Sequence, residues 1–215
     1  MRNKATFEDD DSLYSQILEM ARKKNIKIDY VNTFQLDAKA ENRPHQGIVL
    51  TCSFLQPKSV KRIQYDASNH TLNLSGKKKE IKFDVPKDRP PFVLVLEKVT
   101  DAADLGTIIR NSCFFGLDAV ILGNESLGAD LNDWDVFVAC ETGKSVEDLK
   151  NLGKPTILIL GADGNNPSEE LLSISHNKIR PNYNSPAEYM NIPKTLTMSV
   201  SSGVLIHSLI SKIKK

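Results

Sequence analysis

The sequence lacks most of the features that announce a chemistry. It has only three cysteines, Cys52, Cys113 and Cys140, widely spaced, with no CxxC pair and no histidine at ligand spacing. That excludes a structural zinc site and argues for a reducing compartment. No apolar run reaches membrane-spanning length. The opening MRNKATFEDDDS is too acidic for a secretory signal or a good mitochondrial presequence, so a soluble intracellular chain is expected. An excess of one charge is also missing. With 28 basic and 27 acidic residues the net charge is +1, and global charge names no partner. There is no internal repeat, no Ser-His-Asp or paired-carboxylate constellation at a defensible spacing, no GxGxxG and no Walker lysine. What the chain does have is length: 215 residues suffice for one large or two small domains with a real core.

The most informative stretch is VLVLEKVTDAADLGTIIRNSCFFGLDAVIL, residues 93–122. Phe92 and the run Val93 to Leu96 read as a buried strand. Leu105, Ile108, Ile109 and Cys113 recur at helical spacing, Gly116 is placed to close that helix as its C′ residue, and Ala119–Leu122 reads as a second strand. Strand, helix and strand in about thirty residues make a βαβ unit, which implies a parallel sheet. Arg110 lies inside this helix among apolar neighbours. It is either a solvated, snorkelling side chain or a functional one, and spacing alone leaves both open.

Upstream, LYSQILEMARKKN reads as a helix with Leu13, Ile17, Leu18 and Met20/Ala21 on one face, acids before it and Arg22, Lys23 and Lys24 at its end. Two short alternating stretches, Ile26–Val31 and Ile48–Cys52, flank a loop containing ENRPHQG. Such a unit buries little alone and looks like half of a small α/β domain. His45 is expected to cap its loop through its ring nitrogens rather than to catalyse, and Gly47 to supply a turn. Between residues 57 and 90 nine Lys/Arg stand against four acids. There Ile63/Tyr65, Leu72/Leu74 and Ile81/Phe83 alternate weakly, as in a β-hairpin or linker ended by Pro86, Pro90 and Pro91.

Downstream, Val136–Cys140 is a short strand candidate, Ser145–Leu152 a short helix and Thr156–Leu160 a buried strand. The latter ends in Gly161-Ala162-Asp163-Gly164, and a glycine turn at the carboxyl end of a parallel strand is where such sheets bind small ligands. Pro167–Glu170 looks like a helix start, and Ser173–Ile179 like a last short strand. TLTMSVSSGVLIHSLISKIKK closes the chain as an apolar helix in which His207 is expected to be a satisfied partner.

Three stretches, read together, resemble the SpoU/TrmH branch of the SPOUT RNA 2′-O-ribose methyltransferases. DAADLGTIIRNSCFFGLDAVIL is similar to the family's first motif, DPxNxGxIxRxAxxxGxxxVI; LILGADG to its second, LxLGxEG; and TLTMSVSSGVLIHSL to its third, SLNVSVAxGILLxxL. ILEMARKKNIKI followed by RPHQGIVL resembles the end of the L30e-like RNA-binding domain that precedes the catalytic domain. The pattern is most similar to mitochondrial large-subunit rRNA guanosine methyltransferases and covers about residues 13–56 and 92–215.

The resemblance implies an α/β fold: a SPOUT parallel sheet with a C-terminal trefoil knot, preceded by a partial L30e-like α/β domain. It implies domains at 1–56 (RNA-binding) and 92–215 (methyltransferase), with 57–91 as a basic linker or hairpin. It implies S-adenosylmethionine as cofactor, held largely by backbone, with Gly161, Ile179 and Leu196 in contact. Ile192 is the alternative to Ile179. Arg110 falls on the family's motif arginine, which would position and polarise the ribose 2′-OH. Implied partners are ribosomal RNA and a second copy in a homodimer, with no metal and no membrane. The implied location is mitochondrial, otherwise cytoplasmic.

The sequence also departs from the family. Asp104 stands where the first motif has Asn, Asp163 where the second has Glu, and Thr197 where the third has Asn. A carboxylate at position 104 would repel an RNA phosphate, and Thr197 cannot offer a carboxamide's paired donor and acceptor. The region between the first two motifs looks shortened by a strand–helix unit, and the first half of the L30e-like domain is absent. Three readings follow: an active rRNA ribose methyltransferase, a degenerate relative that binds RNA without methylating it, and a non-RNA α/β small-molecule domain with chance motif matches.

Overall fold

The structure, a computed structural model, describes residues 11–53, 60–76, 80–123, 131–161, 167–182 and 196–213. The chain divides into two compact units, Met1–Leu55 and Gln56–Lys215.

The first unit holds two helices, α1 (Asp11–Lys23) and α2 (Thr33–Lys39). Helix α1 ends where Asn25 takes a left-handed φ of 53° and Ile26 N–H donates to the Ala21 carbonyl, a Schellman closure. Helix α2 was not anticipated, although its start carries a capping box: the Asn32 side chain accepts from Gln35 N–H and the Gln35 side chain accepts from Asn32 N–H. Ile26–Val31 and Ile48–Cys52 form no strands. No described side chain of this unit is buried, and Leu13, Ile17 and Met20 of α1 are exposed. A unit this small has little apolar surface with which to close a core.

The second unit has three layers. A five-stranded parallel sheet forms the middle, from β4 (Phe92–Glu97), β5 (Ala119–Gly123), β6 (Asp135–Ser145), β7 (Thr156–Leu160) and β8 (Asn177–Arg180), in the order β5-β4-β7-β6-β8. On one face lies an antiparallel meander of β1 (Arg62–Asp66), β2 (Thr71–Ser75) and β3 (Glu80–Asp84), built from the basic segment. Its Ile63, Leu72 and Leu74 join Val93, Val95, Val136, Ile157 and Ile159 in one core. On the other face α3 (Ala102–Phe115) and α5 (Met198–Lys212) cover Phe92, Leu94, Leu96, Leu158 and Leu160. Short helix α4 (Glu169–Ile174) adds Leu171 to the meander-side core.

The direction of the connections explains which helix lies where. The chain leaves β4 through α3 toward β5 at one edge, and leaves β7 through α4 toward β8 at the other. Right-handed crossovers running in opposite directions put their helices on opposite faces. Strands β4 and β7 are adjacent and parallel, pairing Leu96 with Leu160, so the reversal falls between them.

Some local expectations need correcting. The buried face of α3 is Ile108 and Ser112, with Leu105 and Phe115 half-buried, whereas Ile109 and Cys113 are exposed. Residues 145–152 form only a single 3-10 turn at Val146–Asp148. Asp163 and Ile192 lie outside the described residues.

Candidate functional site

The carboxyl edge of the parallel sheet gathers the motif-bearing segments. In a doubly wound sheet, ligands bind in the crevice beyond the strand ends where the connections reverse direction. That point lies here between the ends of β4 and β7, and Gly161 is the first residue after β7.

Helix α3 begins at the same edge. Asp101 caps it, its carboxylate accepting from Ala103 N–H and Asp104 N–H at 2.6 and 3.0 Å. Gly116 closes it with φ 74°, a left-handed C-cap. Arg110 lies nine residues past the cap, roughly 13 Å along the axis, on the solvent side of the helix. Among the described residues its guanidinium has no hydrogen-bond or ion-pair partner. The charged group is therefore free to meet an external anion or hydroxyl.

The start of α5 is held beside Arg110 by its neighbour. Asn111 Nδ2 donates to the Ser199 carbonyl and to Ser202 Oγ, both at 3.3 Å. Gly203 lets the helices approach, since a β-carbon there would come within 3.3 Å of Asn111 Nδ2. Leu196, two residues before α5, is 50% exposed. Thr197 is the N-cap residue but makes no side-chain cap; its hydroxyl pairs with Ser199 Oγ at 3.2 Å.

Ile179 sits elsewhere in the sheet, on edge strand β8, with its side chain fully buried. Strand β6 pairs with β8 twice, through Ala139 and again through Lys144, with a bulge between. Gly143 lies in that bulge against Ile179, and an added β-carbon would come within 2.5 Å of the Ile179 backbone nitrogen. Ile179 therefore presents neither an exposed side chain nor an exposed main chain.

Both histidines singled out in the sequence have partners. His45 Nδ1 accepts from Gly47 N–H at 3.1 Å, and its Nε2 meets Asp37 at 2.9 Å. Gly47 has φ 80°, the turn that this geometry needs. His207 packs on Phe115, ring centroids 5.6 Å apart. A recess of about 730 Å³ opens at the opposite, amino edge, lined by Tyr65, His70, Lys87, Trp134 and Pro155. Burial, then Asp118 and Asp66, raise the Tyr65 pKa, and its hydroxyl shares a hydrogen bond with His70 Nδ1 at 3.2 Å. No motif residue lines this recess. Among the described residues no cluster suits a metal ion, and no helix is long and apolar enough to cross a membrane.

The comparisons with known proteins agree with the motifs. The family described as RNA 2′-O ribose methyltransferase substrate binding matches residues 4–58. The rRNA methyltransferase 1, mitochondrial, of Dictyostelium discoideum is 28% identical over 91% of this chain and 44% of its own length. The chain is related to the SpoU-type RNA 2′-O-ribose methyltransferases. The protein of the same name from Schizosaccharomyces pombe is 22% identical over 97% of this chain and 83% of its own length. The 23S rRNA (guanosine-2′-O-)-methyltransferase RlmB of Neisseria meningitidis is 26% identical over 74% and 59%. The chain thus spans under half of the length of the Dictyostelium relative. The relationship sets aside the reading of chance motif matches.

Proposed function

We propose that this protein is an S-adenosylmethionine-dependent methyltransferase acting on a ribose 2′-OH, of a guanosine, in large-subunit rRNA. The observation that carries the proposal is spatial. Gly161 follows β7 at the sheet's reversal point, and Asn111, the residue after Arg110 on α3, is bonded to the first turn of α5, which Leu196 and Thr197 precede.

The residues at that edge suit the cofactor. Gly161 offers main chain without a side chain at the crevice and Leu196 an exposed apolar surface for the adenine; Ile179, fully buried against Gly143, offers no exposed atom. The bound cofactor supplies a methyl group on a sulfonium, already activated for displacement. The chain's task is placement: the 2′-oxygen must lie in line with the methyl–sulfur bond. Transfer would form the oxygen–carbon bond as the carbon–sulfur bond breaks, releasing S-adenosylhomocysteine, with the hydroxyl proton passing to solvent. Arg110, always charged at neutral pH, orients the hydroxyl and stabilises charge developing on its oxygen.

Residues 1–56 serve in this proposal as the RNA-binding domain and 92–215 as the methyltransferase domain, with the meander of 57–91 belonging to the latter's fold. The trefoil knot, the L30e-like character of the first unit and a mitochondrial location form part of the same reading. So does a homodimer, supported by an apolar outer surface on α3 and α5: Phe114 is 82% exposed, Val200 50%, Ile109 42% and Val204 38%.

A second reading, RNA binding without transfer, is favoured by Asp104 and by the capless Thr197. The discriminating experiment incubates the protein with labelled S-adenosylmethionine and large-subunit rRNA, then maps ribose methylation. Label at one guanosine 2′-oxygen supports the enzyme; RNA and cofactor binding without label supports the second reading.

A further inference from the structure

We infer that Glu97 is a positioning residue for the cofactor crevice, acting through the backbone N–H of Ser168. The inference rests on the cofactor reading above. Glu97 is the last residue of β4, beside Gly161 at the reversal point, and it is 6% exposed. A carboxylate so removed from water needs strong compensating partners. Its Oε2 accepts the Ser168 N–H at 2.7 Å across 71 residues of sequence, while Lys98 Nζ lies 3.8 Å from Oε1.

Ser168 is not an incidental partner. It is the N-cap of α4, its Oγ facing Leu171 N–H at 3.5 Å and its carbonyl accepting from Leu172 N–H at 2.9 Å. Gly161 follows β7, and Ser168 begins α4. Clamping Ser168 to β4 therefore ties the start of α4 to the strand end beside Gly161.

Alternation along β4 explains why Glu97 reaches it. Val93 and Val95 face the meander-side core that also contains Leu171 of α4, and Glu97 continues that row. Lys98 next adopts φ 55°, unusual for a residue with a side chain. This turns the chain toward Asp101 without carrying Glu97 out of the crevice. Glu97 so ties the first-motif strand to the segment after the second motif, on the face opposite Arg110.

The test compares the full-length protein with Glu97→Ala and Glu97→Gln. Three quantities are read: affinity for S-adenosylhomocysteine by calorimetry, hydrogen exchange in the peptide containing Ser168, and KM against kcat for methyl transfer. Glu97→Ala should weaken binding about tenfold, as loss of a hydrogen bond to a charged group allows. It should also speed exchange at Ser168 and raise KM for S-adenosylmethionine with little change in kcat. Glu97→Gln, whose amide oxygen still accepts, should recover most of the affinity. Native affinity in a folded Glu97→Ala overturns the inference. So does an equal loss in Glu97→Gln, which would show that charge rather than the Ser168 clamp matters. If Glu97→Ala does not fold, Glu97→Gln decides alone: near-native affinity with slow Ser168 exchange supports the clamp, and loss of either overturns it. Failure of the native protein to bind S-adenosylhomocysteine is a distinct outcome; it defeats the cofactor reading itself, and this inference with it.

Discussion

The two faces of the parallel sheet are built from different amino acids and do different work. On β4, β6 and β7 the residues facing the meander are Val93, Val95, Val136, Val138, Ile157 and Ile159, all β-branched. Those facing the helices are Phe92, Leu94, Leu96, Phe137, Leu158 and Leu160. Stiff β-branched side chains present a flat surface against a second sheet. Longer leucine and phenylalanine side chains reach into the gaps between helix ridges. The meander closes its face with Ile63, Leu72 and Leu74. The helical face closes at the sheet but leaves Arg110, Phe114 and Val200 outward. One face completes the fold, and the other keeps the exposed surface that the proposal gives to substrate and a second subunit.

The largest expected effect belongs to the helical face alone. Arg110→Ala should reduce methyl transfer by on the order of a hundredfold or more, the scale of losing a group that positions and activates a nucleophile. Affinity for S-adenosylhomocysteine should hardly change. Equal loss of transfer and cofactor affinity in paired kinetic and calorimetric measurements would make Arg110 structural.

The meander's attachment supplies the next effect. Arg89, on the way from β3 to β4, is paired with Asp118 at 2.7 Å, both side chains nearly buried, and Asp118 also accepts from Phe92 N–H at 2.7 Å. Asp118→Ala should cost about 3–5 kcal/mol in urea unfolding, because it strands a buried cation. A cost under about 1 kcal/mol, the range of exposed pairs, would mean that solvent reaches the pair.

Adjacent residues on β7 test the faces directly. Ile157→Ala cuts the meander side and Leu158→Ala the helical side, and each should cost about 2–5 kcal/mol. A much smaller loss for Ile157 would make the meander a loose cover rather than a core layer. The smallest effect is expected at Gly116→Ala, about 1 kcal/mol for an alanine forced left-handed. It should lower the melting temperature without changing transfer kinetics.

The sequence displayed the second unit well where local pattern and burial coincide. The apolar runs of β4 and β7 and the cap at Gly116 could be read directly. So could the three alternating pairs of the meander, though not their number of strands or what they cover, because that depends on β2 pairing with both neighbours. Ile109 and Cys113 misled because α3 turns Ile108 and Ser112 inward instead, Ser112 bonding its hydroxyl to the Ile108 carbonyl. In the first unit, Ile26–Val31 and Ile48–Cys52 alternate as strands do, but an alternating segment without a hydrogen-bonding neighbour is not a strand. Helix α2 was legible in Asn32 and Gln35 and was overlooked. At the site, Arg110, Gly161 and Leu196 stood out through motif resemblance. Glu97 did not, since a carboxylate at a strand end looks solvated until Ser168, distant in sequence, is brought to it.

The most direct test of the central claim is calorimetric titration of the purified protein with S-adenosylmethionine and S-adenosylhomocysteine. The account predicts saturable, micromolar binding of both, one site per chain. Absence of binding to either would contradict the methyltransferase assignment, leaving a SpoU-type relative whose activity would have to be sought in RNA affinity alone.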